Sequence, residues 1–180
     1  AGSSNFHSPA QPPSSFALPL VPISAKTTAR KDASLLVDFG RETFGFIKLH
    51  GVQGKGRISL YYGESKEEAL STTHCETLDR LDVSNDSKMD TIMPLSKAFR
   101  FVNVQPGPQI NIDSVSMLYE SANLNERGSF KCSDSTINRN YEVAKYTFQL
   151  NTREFFIDGI KRDRWIWSGD AYQSYLMNYY

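Results

Sequence analysis

The sequence has 180 residues, and its 20 basic side chains (Lys and Arg) are balanced by 20 acidic ones, so the formal net charge is zero. Binding to nucleic acid through counterion release needs a basic face, so this balance argues against a nucleic-acid partner. Hydrophobic residues make up 39% of the chain, an ordinary globular fraction. No apolar run is long enough to span a membrane, so no membrane partner is predicted either.

The first 33 residues are rich in serine, proline and alanine, with PAQPPSS near their centre. Proline restricts the backbone and few of these side chains can pack, so residues 1–33 are predicted to form an extended arm or linker. The opening AGSSNFHSPAQPPSSF has no secretory signal pattern and resembles a processed or engineered terminus. It therefore does not indicate the compartment.

Residues 34–127 have the pattern of a β-domain. The short apolar or alternating runs LLVDF, GFIKLHG, RISLYY, FRFVNV and INIDSVSMLYE are separated by glycine- or proline-containing breaks. Short strands with turns between them favour an antiparallel β-sandwich. The polar stretch ESKEEALSTTHCETLDRL predicts one helical turn or a long loop. GVQGKGR predicts a hairpin turn rather than a phosphate loop, because it lacks the Gly-Lys-Ser/Thr ending.

From residue 128 onward the pattern is helical. Either Ser133 or Asp134 can cap a first helix, and a second helix is predicted to begin near Asp170. An apolar helix face must be buried against another element, and no further sequence follows to supply one. We therefore expect the helical domain to be truncated. The apolar positions at helical spacing are Ile137, Tyr141, Ala144 and Phe148, then Tyr172, Tyr175, Leu176 and Tyr179.

The two cysteines, Cys75 and Cys132, lie far apart and lack CxxC spacing. This spacing indicates neither a zinc site nor a redox pair, and no metal or cofactor is predicted. One disulfide and two separate thiols remain alternatives.

Among the other polar residues, Glu64, Glu67 and Glu68 form an acidic cluster that could be catalytic or could be a solvated loop face. The isolated histidines are interpreted as ordinary strand or loop residues. They are His7, His50 and His74.

The stretch DGIKRDRWIWSGD, residues 158–170, combines three aspartates with both tryptophans of the chain. An arginine can orient a neighbouring carboxylate, and a second carboxyl in less polar surroundings can act as an acid. Aromatic rings provide a flat surface for the C–H face of a sugar, while Asp and Arg accept from and donate to its hydroxyl groups. This composition suits carbohydrate cleavage. The structural alternative is a set of ion pairs at a helix start, with tryptophan as a packing anchor and Asp170 as an N-cap.

The order of these segments resembles the bacterial α-L-rhamnosidases of glycoside hydrolase family 78, over about residues 35–180. VDFGRETFGFIKLHG, ISLYYGESKEEAL and FRFVNV are similar to the β-sandwich beside the catalytic domain. GSFKCSDSTINRNYEVAKYTFQLNTREFFIDGIKRDRWIWSGD is similar to the first helix and active-site loop of that domain. The resemblance implies a mainly β chain. An antiparallel β-sandwich over 34–127 would be followed, over 128–180, by the first helices of a truncated (α/α)6 barrel.

The resemblance also implies roles for five residues. Asp158 matches an aspartate that would bind sugar hydroxyls, and Arg162 matches an arginine that would orient a carboxylate or a hydroxyl. Asp163 falls at the position of the general acid. Trp167 matches a stacking tryptophan, and Asp170 matches a closing aspartate of the substrate site.

The chain departs from the family pattern in two ways. Many members carry a glutamate at the acid position, after an Arg-Asp pair, where this sequence reads Arg-Asp-Arg. Asp163 is one methylene shorter than glutamate, so either the sugar lies closer to it or the acid role has moved. The general base, a glutamate, belongs to a later part of the barrel that this chain does not contain. Because inversion of the anomeric centre needs both carboxyl groups, we expect the chain alone to be inactive or nearly so.

The resulting hypothesis is a fragment of an inverting hydrolase that releases terminal α-linked L-rhamnose from a glycan or glycoside. It implies no cofactor and a periplasmic or secreted location, and it leaves the oligomeric state open. The alternative is a carbohydrate-binding or scaffolding β-sandwich, which would display two or three coplanar exposed rings on one face. A related glycosidase acting on another deoxy-sugar or a uronic acid is a third hypothesis.

Overall fold

The computed structural model describes residues 18–162 and 164–177. These residues divide into two compact units, one containing Leu20–Glu120 and the other running from Ser121. Strands contain 48% of the residues that the structure describes, which confirms the predicted mainly β class with helices after the sheet. The strands are β1 Leu20–Ser24, β2 Thr27–Lys31, β3 Ser34–Gly63, β4 Thr77–Ile92, β5 Lys97–Pro106, β6 Ile110–Asn111 and β7 Ser114–Glu120; the helices are α1 Lys66–Leu70, α2 Ser135–Asn151 and α3 Ser168–Met177.

Strand β3 is 30 residues long and changes partners along its length. Its first part, residues 35–38, lies between β2 and β5, and its middle part, 45–50, pairs with β7. Its last part, 58–63, returns to the other side of β5 and also pairs with β4. All these pairings are antiparallel. The irregularities between these parts allow one strand to pair with five others.

Glycines permit these irregularities. Gly40 has a φ of 86° and Gly51 a φ of 62°, in the left-handed region that residues with a Cβ rarely occupy. The predicted hairpin turn at GVQGKGR is wrong, because this segment lies inside β3 and pairs with β4 and β6. Its glycines produce register shifts within the strand instead of a chain reversal.

The two layers enclose an apolar core. In the first and last parts of β3, buried residues alternate with more exposed ones, as the period of a half-buried strand requires. Phe99 lies at the centre, with its ring 5.5 Å from that of Phe39 and 5.2 Å from that of Tyr62. The core cluster also contains Leu35, Val37, Ile47, Leu49, Val52, Ile58, Leu60, Val83, Met93, Val102, Val104, Ile110, Ile112, Val115 and Met117.

Part of the segment predicted to be an extended arm joins the sheet. β1 pairs with β7, and β2 pairs with the start of β3. Both strands lie at the ends of the strand order, where Pro22 of β1 is tolerated because an edge strand does not need every N–H group. The division into a β-domain over 34–127 and a helical domain from 128 stays a prediction.

Cys75 and Cys132 are both free thiols, so the disulfide that the sequence left open is not present. Within the described ranges, no helix is long and apolar enough to cross a membrane.

A polar cluster occupies the outer face of the sandwich around Asp90 of β4. The Lys48 ammonium lies 3.0 Å from its Oδ2, and the Gly51 N–H donates to its Oδ1 at 3.1 Å. His50 links two strands, with Nδ1 3.1 Å from Asp90 Oδ2 and Nε2 2.7 Å from Ser116 Oγ. The hydrogen bond from Lys48, followed by that from Gly51, lowers the pKa of Asp90 to about 2.

This arrangement predicts acid sensitivity of the first unit. Because the pKa of Asp90 is lower in the folded state than its ordinary value of 3.8, its contribution is complete above that value and is lost as pH falls toward about 2. Asp90→Asn should therefore lower the free energy of unfolding at neutral pH and flatten its decline between these two pH values. Urea titrations at a series of pH values measure both effects. Asp86→Asn, an exposed carboxylate on the same strand, is the control, and an equal flattening in both variants would contradict the assignment.

Candidate active-site loop

Helix α2 begins at an aspartate cap. The Asp134 Oδ1 accepts from the backbone N–H of Thr136 at 2.7 Å and of Ile137 at 3.3 Å. The sequence left Ser133 and Asp134 as alternatives, and the structure selects Asp134. An N-terminal carboxylate also interacts favourably with the helix dipole.

A short turn after α2 brings the chain to Asp158. Thr152 forms an antiparallel bridge with Phe156, and the Ile157 N–H donates to the Asn151 carbonyl at 3.0 Å. The Thr152 backbone N–H and hydroxyl both donate to the Phe148 carbonyl, at 3.0 Å and 2.8 Å, at the end of the helix. The position of Asp158 is therefore fixed relative to α2 through backbone contacts.

Asp158 closes the loop that follows it. Its Oδ1 accepts from the Trp165 N–H at 3.0 Å, and its own N–H donates to the Trp165 carbonyl at 3.1 Å. Its Oδ2 accepts from the Trp167 indole Nε1–H, also at 3.0 Å. One exposed aspartate thus makes three hydrogen bonds across seven or more residues of sequence.

The two tryptophans are stacked on each other. Their ring centroids lie 5.5 Å apart with an interplanar angle of 20°. Both remain exposed, Trp165 at 60% and Trp167 at 52%. The sequence assigned a stacking role to Trp167 alone. Their i, i+2 spacing was the available signal for the pair, because residues at this spacing share a side of an extended chain.

Arg164 is a further residue that sequence reasoning missed. Its φ is 52°, which is uncommon for a residue with a Cβ. Its N–H donates to the Arg162 carbonyl at 2.6 Å, and its guanidinium Nε–H donates to the Ile160 carbonyl at 2.9 Å. Ile160 is buried, so this hydrogen bond anchors one end of the loop to a buried residue.

The other predicted site residues are placed as follows. Arg162 is exposed, and Asp163 lies outside the described residues. Asp170 is exposed in the first turn of α3, which begins at Ser168, two residues before the expected start. Of the four candidates in the described part of the chain, the structure brings Asp158 and Trp167 into direct contact.

The acidic cluster of the first unit has a structural explanation. Ser65 caps α1, its Oγ accepting from the Glu68 N–H at 3.1 Å, while the Glu68 carboxylate accepts from the Glu64 N–H at 3.1 Å. This is close to a capping box, in which a serine and a glutamate three residues later satisfy backbone donors. Among the described residues, no group of three or more His, Cys, Asp or Glu side chains is arranged to hold a metal ion.

Two family models match the chain on either side of the break between the compact units. Residues 1–104 match the α-rhamnosidase-like N-terminal model of the Bacteroidetes. The chain belongs to the α-rhamnosidase-like family. Residues 125–180, which include the Asp158 loop, match the six-hairpin glycosidase domain of bacterial α-L-rhamnosidases. No curated protein matches the chain significantly.

Solved rhamnosidases share the fold. The rhamnosidase of Klebsiella oxytoca with rhamnose bound is 21% identical, with a TM-score of 0.68, over 85% of this chain and 34% of that one. The family 78 rhamnosidase of Bacillus sp. GL1 is 23% identical, with a TM-score of 0.70, over 85% of this chain and 17% of that one. The α-L-rhamnosidase of Streptomyces avermitilis complexed with L-rhamnose is 16% identical, with a TM-score of 0.63, over 86% and 16% respectively. The chain therefore spans 34% or less of each of these proteins.

The positive φ of Arg164 predicts that glycine is more stable than alanine at this position, the reverse of their usual order. Arg164→Gly and Arg164→Ala both remove the guanidinium contacts, but only alanine keeps a Cβ at positive φ. The glycine variant should be more stable by about 1 kcal/mol, the scale of the left-handed penalty. Thermal unfolding of the second unit, followed by tryptophan emission, measures the difference. In ordinary helical or strand backbone, alanine is more stable than glycine. An alanine variant more stable than the glycine variant would therefore contradict the positive φ.

Proposed function

We propose that this chain is part of an inverting α-L-rhamnosidase, a hydrolase that releases terminal α-linked L-rhamnose from a glycan or glycoside. The observation that carries the proposal is the exposed, stacked indole pair held by Asp158, in the segment that the six-hairpin glycosidase model covers. The solved structures from Klebsiella oxytoca and Streptomyces avermitilis hold rhamnose. They support this sugar as the substrate class.

The chemistry of the loop suits a deoxy-sugar. Rhamnose has a methyl group in place of a hydroxymethyl group, so one part of its ring is more apolar than in most hexoses. Trp165 and Trp167 offer exposed rings for that part, and Arg162 and Asp170 offer an exposed donor and acceptor for hydroxyl groups. An aromatic surface beside charged groups matches the two kinds of surface that a sugar presents.

The cleavage step requires two carboxyl groups on opposite sides of the sugar. In the proposal, Asp163 is the general acid that protonates the leaving oxygen. A glutamate from a later part of the barrel is the base that activates water, and the two are separated enough to admit that water. Arg162, adjacent to Asp163 in the sequence, would orient its carboxyl group or a substrate hydroxyl.

The distribution of exposed aromatic rings favours the hydrolase over the second candidate, a carbohydrate-binding β-sandwich. Such a module would display rings on the first unit. Among the described residues, every large aromatic side chain that is exposed lies beyond Ser121, in the second unit. These residues are Phe130, Phe155, Trp165, Trp167, Tyr172 and Tyr175.

The first test compares this 180-residue chain with a form extended to the end of its gene, using 4-nitrophenyl α-L-rhamnoside. Only the extended form should release nitrophenol, because the proposed base lies outside this chain. Measurable turnover by the purified 180-residue chain would contradict that part of the proposal. If the extended form cleaves another glycoside and not this one, the hydrolase proposal stands and the assignment of rhamnose as the released sugar is wrong. If neither form cleaves any glycoside, the binding-module candidate is favoured.

A second test addresses the acid. Asp163→Asn in the extended form should reduce kcat/KM for a rhamnose disaccharide by about a hundredfold to ten-thousandfold, the usual contribution of a general acid. The loss on the 4-nitrophenyl substrate should be much smaller, because nitrophenolate leaves with little protonation. Asp86→Asn, the exposed carboxylate of β4, should leave both rates unchanged. Equal losses on the two substrates would instead place Asp163 in substrate binding.

A further inference from the structure

We infer that Asp158 is a positioning residue, whose carboxylate fixes Trp165 and Trp167 as one two-ring platform for the apolar face of the sugar. The inference rests on the proposed function for the identity of the sugar. It differs from the direct sugar-binding role that family resemblance implies for Asp158, and it adds Trp165, which that resemblance did not assign.

The hydrogen bonds of Asp158 are directed at the two tryptophans. Each carboxylate oxygen accepts from one of them, Oδ1 from the Trp165 backbone and Oδ2 from the Trp167 indole, both at 3.0 Å. Hydrogen bonds to an ionised acceptor are stronger than those between neutral groups. Since Asp158 also donates its own N–H to Trp165, the two residues form a reciprocal pair that closes the loop.

The contact with the Trp167 indole sets the direction of the ring. Nε1–H is the only hydrogen-bonding group of an indole, so a bond to it limits rotation about both side-chain torsions. The Trp165 ring then stacks at 5.5 Å and 20°, close to parallel. An offset, nearly parallel arrangement is a favoured geometry for aromatic pairs.

The stacked pair is left open to solvent. Each ring uses one face against the other, yet the two side chains are still 60% and 52% exposed. The outer face of each ring is therefore accessible among the described residues. An oriented ring with an accessible face is the arrangement that stacking on a sugar requires, because little conformational entropy is lost when the ligand binds.

Spectroscopy can test the positioning without any sugar, because Trp165 and Trp167 are the only tryptophans of the chain. Trp165→Phe leaves Trp167 as the only reporter, and Trp167→Phe leaves Trp165. Adding Asp158→Asn should shift the emission maximum and reduce the near-ultraviolet circular dichroism strongly when Trp167 is the reporter. The change should be smaller when Trp165 is the reporter, because its bond to the carboxylate comes from the backbone.

The control is Glu154→Gln, which removes an exposed carboxylate from the same unit. Asp158→Glu keeps the charge and should recover part of the Trp167 signal, which a general loss of folding would not allow. Far-ultraviolet circular dichroism verifies that helices and strands persist in each variant.

The platform is tested by quenching of tryptophan emission with methyl α-L-rhamnoside, and with methyl α-D-glucoside as the comparison sugar. Asp158→Asn should weaken the apparent rhamnoside affinity about tenfold, the scale of one hydrogen bond to a charged group. Either single-tryptophan variant should also bind more weakly than the wild type.

The outcomes separate this inference from the proposed function. If Asp158→Asn leaves the Trp167 spectra unchanged, the positioning role is overturned whatever the sugar does. If the wild type is quenched by neither sugar, the platform is overturned. If the spectra change as expected and only the glucoside quenches, the positioned platform stands and rhamnose is wrong.

Discussion

Strand β3 is the constraint on which the first unit depends, because five of the other six strands in the described part of the chain pair with it. It pairs with β2, β4, β5, β6 and β7, and β1 is attached through β7. The first and last parts of β3 lie on the two sides of β5, so Leu35 and Leu60 both pair with Val104. A change in the register of β5 would therefore disturb two ladders and the shared core together.

The Asp158 loop is organised differently, by contacts between residues close in sequence. Asp158, Ile160, Arg164 and the two tryptophans take part in hydrogen bonds that close it. A site whose parts are held by their immediate neighbours is preorganised before other segments contribute to it. This locality is also why charge and indole occur together in so short a stretch, since the carboxylate orients the rings that stand beside it.

Sequence reasoning predicted the fold class and both long helices because alternating and helical apolar periods are strong signals. It missed β1 and β2 because edge strands need few apolar residues, and Pro22 argued against a strand. It was wrong at Gly54 and Gly56, where glycines bend a strand that continues, since composition does not distinguish a bend from a hairpin. It also singled out the segment of the candidate site, where the roles of the five predicted residues stay predictions. It could not find the contact between Asp158 and Trp167, which depends on the turn after α2 and on the positive φ of Arg164. The acid role of Asp163 stays a prediction.

The position of β7 has a practical meaning for dividing this protein. The N-terminal family model ends at residue 104, but β7 runs from Ser114 to Glu120 and covers the middle part of β3. A piece that ended at the limit of that model would keep most of β5 and lose β6 and β7. Ile47 and Leu49 would then lie on an unpaired, apolar strand edge, the kind of surface on which chains associate edge to edge. The unit that folds is therefore longer than the unit that sequence comparison recognises, and an expressed β-unit should extend at least to Glu120.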